Sequence, residues 1–271
     1  MSRVAAIIQA RLSSTRLPGK VLMEVLGRPL LSYQLERVRA CRELDEIVLA
    51  TTTNVADNRL VDFAKREGVA YFRGSEDDVL DRFYRCALAA GAEHVVRITA
   101  DCPLFDPAVC ELAVREYFAA GVEYLHTGPR FMEGLDCEIF SFKTLERAWS
   151  EAIRPYEREH CTQYIVNHPE LFTAVSMEND RDDGMFRITV DEPADFAVVK
   201  ALLEELSVSG RLLAGADELR TLLASRPDLL ALNAHILRNE GLLVSLGGGE
   251  ENTSAVRNPS QATSRGRGEM K

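Results

Sequence analysis

The first half of the chain alternates between short β-branched runs and segments with apolar residues at helical spacing. The first run, Val4–Gln9, is typical of a strand that is covered on both faces. Further strands are predicted over residues 46–52, 69–72 and 94–98. Helices are predicted over residues 29–41, 59–67, 77–90 and 107–120. This alternation predicts an α/β fold with a mainly parallel sheet and helices on both faces.

The pattern beyond residue 120 is less regular. Strands are predicted over 136–140 and 186–190, and helices over 143–153, 194–206 and about 216–237. Residues 247–271 are rich in Gly, Ser, Asn and Arg and contain almost no apolar side chains. Such a segment cannot offset the entropy lost on ordering. We therefore predict one folded domain over residues 1–246 and a disordered tail over 247–271.

Charge excludes some classes of partner. The 271 residues carry a net charge of −10, which argues against a general nucleic-acid-binding protein. Residues 1–42 nevertheless hold eight Lys and Arg against two Glu, so this part of the chain could attract a small anion. No apolar run is long enough to span a bilayer. The six cysteines form no CxxC pair, and we expect reduced, mostly buried thiols in a cytoplasmic protein.

The loop after the first predicted strand combines three cations with three hydroxyl groups. These residues are Arg11, Ser13, Ser14, Thr15, Arg16 and Lys20. A triphosphate needs positive charge, hydroxyl donors and exposed backbone N–H groups close together. The patterns GxxxxGK[ST] and GxGxxG are both absent, so the loop is neither a P-loop nor a dinucleotide fingerprint. The loop is thus predicted to bind a polyphosphate; a solvated basic loop is the alternative.

Two aspartates follow predicted strands and could share a divalent cation. Asp101 follows the strand over 94–98 and Asp191 follows the strand over 186–190, and each has a proline two residues later. Mg²⁺ prefers a few carboxylates together with phosphate oxygens and water. Taken alone, each aspartate could instead form a turn or cap a helix.

The loop also carries a family resemblance. Residues 11–20, RLSSTRLPGK, resemble the signature AR-x-x-STRLPGK of the cytidylyltransferases that activate acidic sugars. These include the acylneuraminate and 3-deoxy-manno-octulosonate (Kdo) cytidylyltransferases and the spore-coat polysaccharide cytidylyltransferases. The last group resembles the chain best, although Ser13 stands where its members typically have glycine. The resemblance continues through residues 73–82, 97–104, 134–138, 158–160 and 190–193.

The resemblance implies a fold, a reaction and roles for the charged residues. The fold is the nucleotidyltransferase fold related to glycosyltransferase-A enzymes. The reaction joins CMP from CTP to an acidic sugar, of the nonulosonic- or ulosonic-acid type, and releases pyrophosphate. Arg11, Arg16 and Lys20 would act as catalytic residues on the triphosphate, and Asp101 and Asp191 would hold Mg²⁺. Related enzymes are commonly dimers, so a homodimer is expected.

The resemblance also implies subsites for the base and the sugar. The base would lie against Arg73, Gly74 and Ser75, with Ala10 and Thr99 completing its pocket. Asp136 and Glu138 alternate along a predicted strand and could hydrogen-bond sugar hydroxyls. Arg158 and His160 could meet the sugar carboxylate, the alternative being a salt bridge on a helix surface.

Two other function classes remain open from the sequence. A glycosyltransferase on the same fold would use a ready-made nucleotide sugar and is expected to carry a DxD pair after a strand; no predicted strand is followed by one. A non-catalytic nucleotide-binding module would bind CTP without turnover.

Overall fold

A seven-stranded sheet forms the centre of the protein in the computed structural model, which describes residues 2–238. The strands of this sheet are β1 (Val4–Gln9), β4 (Glu46–Thr52), β5 (Ala70–Gly74), β6 (His94–Thr99), β7 (Tyr124–Thr127), β8 (Glu138–Ser141) and β9 (Ala174–Met177). A separate two-residue hairpin pairs β2 (Glu24–Val25) with β3 (Arg28–Pro29).

Strand order places β1 near the middle of the sheet, in the sequence β5-β4-β1-β6-β8-β7-β9. Pairing is parallel except at β8, which is antiparallel to both β6 and β7. Gln9, the last residue of β1, is in register with Ala50 and Thr99. The carboxyl ends of β1, β4 and β6 therefore lie at one edge, where sheets of this type bind ligands.

Helices cover both faces of the sheet. They are α1 (Leu30–Arg39), α2 (Asn58–Glu67), α3 (Val79–Ala90), α4 (Pro107–Ala120), α5 (Phe142–Glu151), α6 (Pro155–Glu159), α7 (Gln163–Asn167), α8 (Pro193–Val208), α9 (Ala216–Ala224) and α10 (Pro227–Asn233). Along β1, Ala6 and Ile8 join the apolar cluster that includes α1, α2, α4 and α8. Ala5 and Ile7 join the opposite cluster with α3 and α5. The predicted architecture is confirmed.

The strands predicted over 4–9 and 46–52 and the helix over 107–120 have the predicted bounds. The strand predicted over 186–190 is wrong. This segment is extended, but the Ile188 N–H donates to the carbonyl of Glu133 (2.8 Å) and the Val190 N–H to that of Asp101 (2.8 Å). Ile188 and Val190 are fully buried, so the apolar alternation reflects core packing against loops rather than sheet pairing.

Other boundaries also differ from the prediction. The strand predicted over 136–140 begins at Glu138. The helix predicted over 216–237 is two helices, because Pro227 starts α10 and cannot continue α9. The short elements β7, β9, α6 and α7 were not predicted. The predicted boundary at residue 246 and the tail over 247–271 lie outside the described residues.

All six cysteines are buried and unpaired, as predicted. Within residues 2–238, no helix is both long enough and apolar enough to cross a membrane.

Candidate active site

The basic loop over residues 10–20 leaves the sheet at the end of β1. The Ala10 N–H donates to the carbonyl of Ala50 (3.1 Å), which continues the β1–β4 pairing, and the Gly19 N–H donates back to the carbonyl of Leu12 (3.0 Å). Gly19 has φ +72°, a left-handed conformation that favours glycine. This turn closes the loop and leads into the 3-10 turn Lys20–Leu22.

A buried aspartate anchors the loop to the neighbouring strand. The Leu12 N–H donates to Oδ1 of Asp57 at 2.8 Å, and the hydroxyl of Thr52 donates to Oδ2 of the same carboxylate. Asp57 is only 1% exposed. Both bonds are therefore shielded from water, where an unmade hydrogen bond is most costly. Asp57 fixes the start of the loop relative to β4.

Lys20 brings the two candidate carboxylates together. Its Nζ lies 2.9 Å from Oδ2 of Asp101 and 2.7 Å from Oδ1 of Asp191. The guanidinium of Arg16 lies 3.1 Å from the same oxygen of Asp191. One end of the basic loop and both aspartates thus form a single cluster at the carboxyl edge of the sheet.

The pKa values at this cluster follow from its ion pairs. Burial opposes ionisation of Asp101, but the charge of Lys20 and the hydrogen bonds from Lys20 and Thr99 lower the pKa of Asp101 to about 2. Burial also opposes the charge on Lys20, yet Asp101 and Asp191 raise the pKa of Lys20 above its ordinary value. Lys20 and Asp101 therefore stay ionised at neutral pH.

The donor set at the cluster fits Mg²⁺ that is shared with a substrate. Asp101 and Asp191 offer carboxylate oxygens, which are hard ligands. Among residues 2–238 no group of three or more His, Cys, Asp or Glu side chains could hold a metal ion. Mg²⁺ typically binds through one or two carboxylates plus phosphate oxygens rather than in an all-protein cage. Two carboxylates beside a cationic loop match that requirement.

The remaining polar side chains of the loop face outward. Arg11, Ser13 and Thr15 are exposed. Glu76 accepts a hydrogen bond from Ser13 and lies 4.0 Å from Arg11. The Ser14 hydroxyl oxygen accepts from the Leu17 N–H at 3.5 Å. The exposed groups are accessible to a ligand, whereas Ser14 also shapes the turn.

The segment predicted to contact the base follows β5. Arg73 donates to the carbonyls of Thr52 and Asn54 and to Oδ1 of Asn58, each at 2.9 Å. This arginine therefore braces the loop after β4. A Cβ at Gly74 would lie 2.9–3.2 Å from Cα, Cβ and Cγ of Arg82, so only glycine allows this close approach to α3.

The other residues predicted to form the base pocket are structurally constrained. The Ser75 hydroxyl accepts from the Asp78 N–H at 3.0 Å. Ala10 is buried. The carbonyl of Thr99 accepts from Nε2 of Gln34 at 2.7 Å. Ala10 directly follows β1, and Thr99 is the last residue of the neighbouring strand β6, in register with Gln9. The structure therefore brings these two residues together at the end of β1.

Asp136 and Glu138 have separate partners. Glu138 lies on β8, where Arg97 and the Tyr124 hydroxyl both donate to its carboxylate. Burial opposes ionisation of Glu138, but the charge of Arg97 and the hydrogen bond from Tyr124 hold its pKa below the ordinary value. Asp136 precedes the strand, pairs with Arg238 and accepts from the Gly134 N–H at 2.9 Å. Strand alternation therefore does not relate the two side chains.

Arg158 and His160 differ in whether their side chains already have hydrogen-bond partners. Arg158 forms a bidentate pair with Asp78, its Nε donating to Oδ1 at 3.1 Å and a terminal nitrogen donating to Oδ2 at 2.7 Å, and it donates to the carbonyl of Trp149 at 2.6 Å. This pair joins α6 to the start of α3. His160 Nε2, in contrast, is buried and has no hydrogen-bond partner among the described residues. Burial lowers the pKa of His160, as does the positive charge of Arg97 and Arg11.

The sequence analysis did not identify several residues that hold the basic loop and Asp191 in place through hydrogen bonds. Asp57 lies between the strand predicted over 46–52 and the helix predicted over 59–67, and nothing in that position indicates a contact with the basic loop. Asp195 lies in the first turn of α8 and forms a capping box with Glu192. Arg187 was not identified, although it precedes Asp191 by four residues in an extended segment. Alternation along that segment was the signal that could have found Arg187.

The chain is similar to known cytidylyltransferases in sequence. The family model described as Cytidylyltransferase matches residues 5–224. The spore coat polysaccharide biosynthesis protein SpsF of Bacillus subtilis is 33% identical over 235 residues, covering 84% of this chain and 97% of that protein. A 3-deoxy-manno-octulosonate cytidylyltransferase of Geobacter sulfurreducens is 34% identical over 113 residues, covering 41% of this chain and 44% of that protein.

A solved structure shares the whole architecture. The cytidylyltransferase from Leptospira borgpetersenii serovar Hardjo-bovis superposes with a TM-score of 0.81 at 31% identity, covering 88% of this chain and 100% of that chain. The nucleotidyltransferase fold implied by the sequence resemblance is therefore confirmed.

Proposed function

Because the chain belongs to the cytidylyltransferase family, we propose that it transfers CMP from CTP to an acidic sugar and releases pyrophosphate. The observation that carries this proposal is the cluster of Lys20, Asp101 and Asp191 at the end of the basic loop. A cationic loop beside two carboxylates is the arrangement that a metal-bound triphosphate requires.

The proposed chemistry is an in-line displacement at phosphorus. The anomeric hydroxyl of the sugar attacks the α-phosphorus of CTP and releases its proton to solvent, the bond from the α-phosphorus to the bridging oxygen of the β-phosphate breaks, and pyrophosphate leaves with that oxygen. Arg11, Arg16 and Lys20 neutralise the triphosphate and the charge that develops on the leaving group. Ser13, Ser14 and Thr15 add hydroxyl groups around the phosphates. No covalent intermediate with the protein is needed, since the residues act by positioning and charge stabilisation.

The proposed cofactor is Mg²⁺. Asp101 and Asp191 would hold it, and the bound ion would neutralise the α-phosphate and orient the nucleophile. Because Lys20 contacts both carboxylates, we propose that its ammonium moves toward the phosphates when the ion and CTP bind.

The sugar subsite is proposed on the face of the sheet that carries α3 and α5. His160 is the best-placed residue for an anionic group, because its buried Nε2 has no protein partner among the described residues and buried polar atoms normally have one. Glu138, Asp136 and Arg158 already have partners, so we propose that they shape this subsite and take up sugar contacts only by exchanging those partners. Arg73, Gly74, Ser75, Ala10 and Thr99 are proposed to surround the base.

The names of the relatives support an acidic sugar for a surface polysaccharide or glycan. One relative is named for spore coat polysaccharide biosynthesis and another for 3-deoxy-manno-octulosonate. We favour a nine-carbon nonulosonic acid, with Kdo second. The reaction is proposed to take place in the cytoplasm, in keeping with the six unpaired thiols, and a homodimer remains a prediction.

The test is a panel of CTP, ATP, GTP and UTP against nonulosonic acids and Kdo, scored by pyrophosphate release with and without Mg²⁺. Pyrophosphate is expected with CTP, one class of sugar acid and Mg²⁺ together. Consumption of a ready-made nucleotide sugar without pyrophosphate would instead identify a glycosyltransferase. Binding of CTP without turnover on any sugar acid would identify a non-catalytic module.

A further inference from the structure

Asp191 is held from the interior by an arginine. The guanidinium of Arg187 lies 2.8 Å from Oδ2 of Asp191, whereas Lys20 contacts Oδ1. The Arg187 side chain is only 7% exposed. The two oxygens of Asp191 thus have different surroundings, one facing the core and the other facing the basic loop. The orientation of the carboxylate depends on where Arg187 is held.

A fully buried carboxylate holds Arg187. Asp195 accepts from Nε of Arg187 at 2.8 Å and from its terminal nitrogen at 3.0 Å. Asp195 also accepts from the backbone N–H groups of Asp191 (3.0 Å) and Glu192 (3.1 Å). One carboxylate therefore fixes both the side-chain partner of Asp191 and the main chain that carries Asp191.

Arg187 also pairs with Glu133 at 2.6 Å. A further contact in this network comes from helix α10. Nδ2 of Asn233 donates to Oδ1 of Asp195 at 3.0 Å and to the carbonyl of Arg187 at 3.1 Å. Asn233 is 4% exposed, so both hydrogen bonds are shielded from water. Asn233 lies beyond residue 224, where the family match ends, and its role cannot be carried over from the motifs of the family.

We propose that Asn233 is a positioning residue for Asp191, acting through Asp195 and Arg187. The inference rests on the proposed function, in which Asp191 holds a divalent cation. Residues that orient metal ligands typically contribute 10- to 100-fold to metal affinity. Loss of the Asn233 amide leaves Asp195 one donor short and removes the hydrogen bond to the Arg187 carbonyl. Arg187 can then shift toward Glu133, its other ion-pair partner, so that Asp191 no longer presents Oδ1 beside Asp101.

The test measures Mn²⁺ binding in the presence of CTP, using the electron paramagnetic resonance signal of free Mn²⁺. Asn233→Ala removes the amide, and Asn233→Leu removes it while keeping most of the volume. Thr144→Val is the matched control, because Thr144 is 2% exposed and the substitution removes its hydrogen bonds to the carbonyl of Glu123 (3.2 Å) and to the Ser141 hydroxyl (2.8 Å) at the start of α5. Asp191→Ala reports whether the bound ion uses the proposed ligand.

Both Asn233 variants are expected to unfold cooperatively on heating and to bind Mn²⁺ about tenfold more weakly or worse than the unsubstituted protein. Thr144→Val is expected to leave Mn²⁺ affinity unchanged. Unchanged affinity in the Asn233 variants, with binding lost in Asp191→Ala, overturns the positioning role alone. Failure of both Asn233 variants to fold also overturns it, since the residue is then purely structural. Normal Mn²⁺ binding by Asp191→Ala, or none by the unsubstituted protein, overturns the metal role in the proposed function and this inference with it.

Discussion

Asp101 and Asp191 both contact the ammonium group of Lys20, at 2.9 Å and 2.7 Å, although they come from distant parts of the chain. The backbone joins them as well, since the Val190 N–H donates to the carbonyl of Asp101 at 2.8 Å. The segment that carries Asp191 is thus attached directly to the turn that carries Asp101. In the proposed function, Asp101 and Asp191 would hold a divalent cation in place of the ammonium group of Lys20.

Asp101→Ala is expected to reduce turnover at least a hundredfold, as the loss of one transition-state stabiliser typically does. The measurement is pyrophosphate release at saturating CTP and Mg²⁺. Asp62→Ala, which removes an exposed carboxylate on α2, is the control and should retain full activity. Near-normal turnover in Asp101→Ala would rule out its role in holding the metal.

Lys20→Met is expected to have opposite effects on cation and nucleotide binding. Without the ammonium, both carboxylates lose an internal counter-charge, so Mn²⁺ affinity in the absence of CTP should rise several-fold. CTP affinity should fall, because a phosphate-binding cation is lost. Calorimetric titration of each ligand measures both effects. Lys65 is exposed, and Lys65→Met is the control. Equal or weaker Mn²⁺ binding by Lys20→Met would contradict the proposal that a divalent cation replaces the Lys20 ammonium between the two carboxylates.

Asp57→Ala is expected to destabilise the protein by about 1–3 kcal/mol, because it leaves the buried Leu12 N–H and Thr52 hydroxyl without their acceptor. The loop also loses its attachment to β4, so the KM for CTP should rise. Urea denaturation measures the free energy of unfolding, with Asp62→Ala again as the control. A stable variant with an unchanged KM would show that the loop is positioned by other contacts.

The thiols of Cys86 and Cys161 are expected to be inert in the folded protein. Burial raises the pKa of each to about 12, and the thiolate is the reactive form. Raising the pH from 7 to 9 therefore leaves both thiols protonated, and iodoacetamide should not modify them until the protein is unfolded. Peptide mapping by mass spectrometry measures this. Rapid alkylation of Cys86 or Cys161 at pH 8 would show that the thiol is accessible or that its pKa is not raised.

Local sequence patterns were sufficient to predict five of the seven strands of the central sheet, all except β7 and β9, and the placement of the loop. The β-branched run Val4–Gln9 is buried on both faces, and its pattern therefore has a single structural interpretation. Residues 186–190 alternate apolar and polar side chains, a pattern that also predicts a strand, but their backbone partners are loops around Glu133 and Asp101. Periodicity reports burial and cannot distinguish sheet pairing from pairing with a loop.

The cation and the two carboxylates of the site could be predicted from the sequence, whereas the buried residues that hold Asp191 in place could not. Asp101 follows β6, Asp191 follows an extended segment, and Lys20 ends the loop that leaves β1. The carboxyl ends of such segments meet at one edge of the sheet. The roles of Arg187 and Asn233 depend on a tertiary contact between α10 and the start of α8. Nothing local to Asn233 indicates that contact. The pairing of Arg158 with Asp78 is likewise a contact between distant helices.

The most direct test of the site as a whole is a calorimetric titration of CTP with and without Mg²⁺. The two proteins to compare are the unsubstituted chain and the double variant Asp101→Asn/Asp191→Asn. Mg²⁺ is expected to strengthen CTP binding at least tenfold in the unsubstituted chain. The double variant should still bind CTP through the basic loop, with the same affinity whether Mg²⁺ is present or absent. An equal Mg²⁺ effect in both proteins would contradict the assignment of these two aspartates as the metal site.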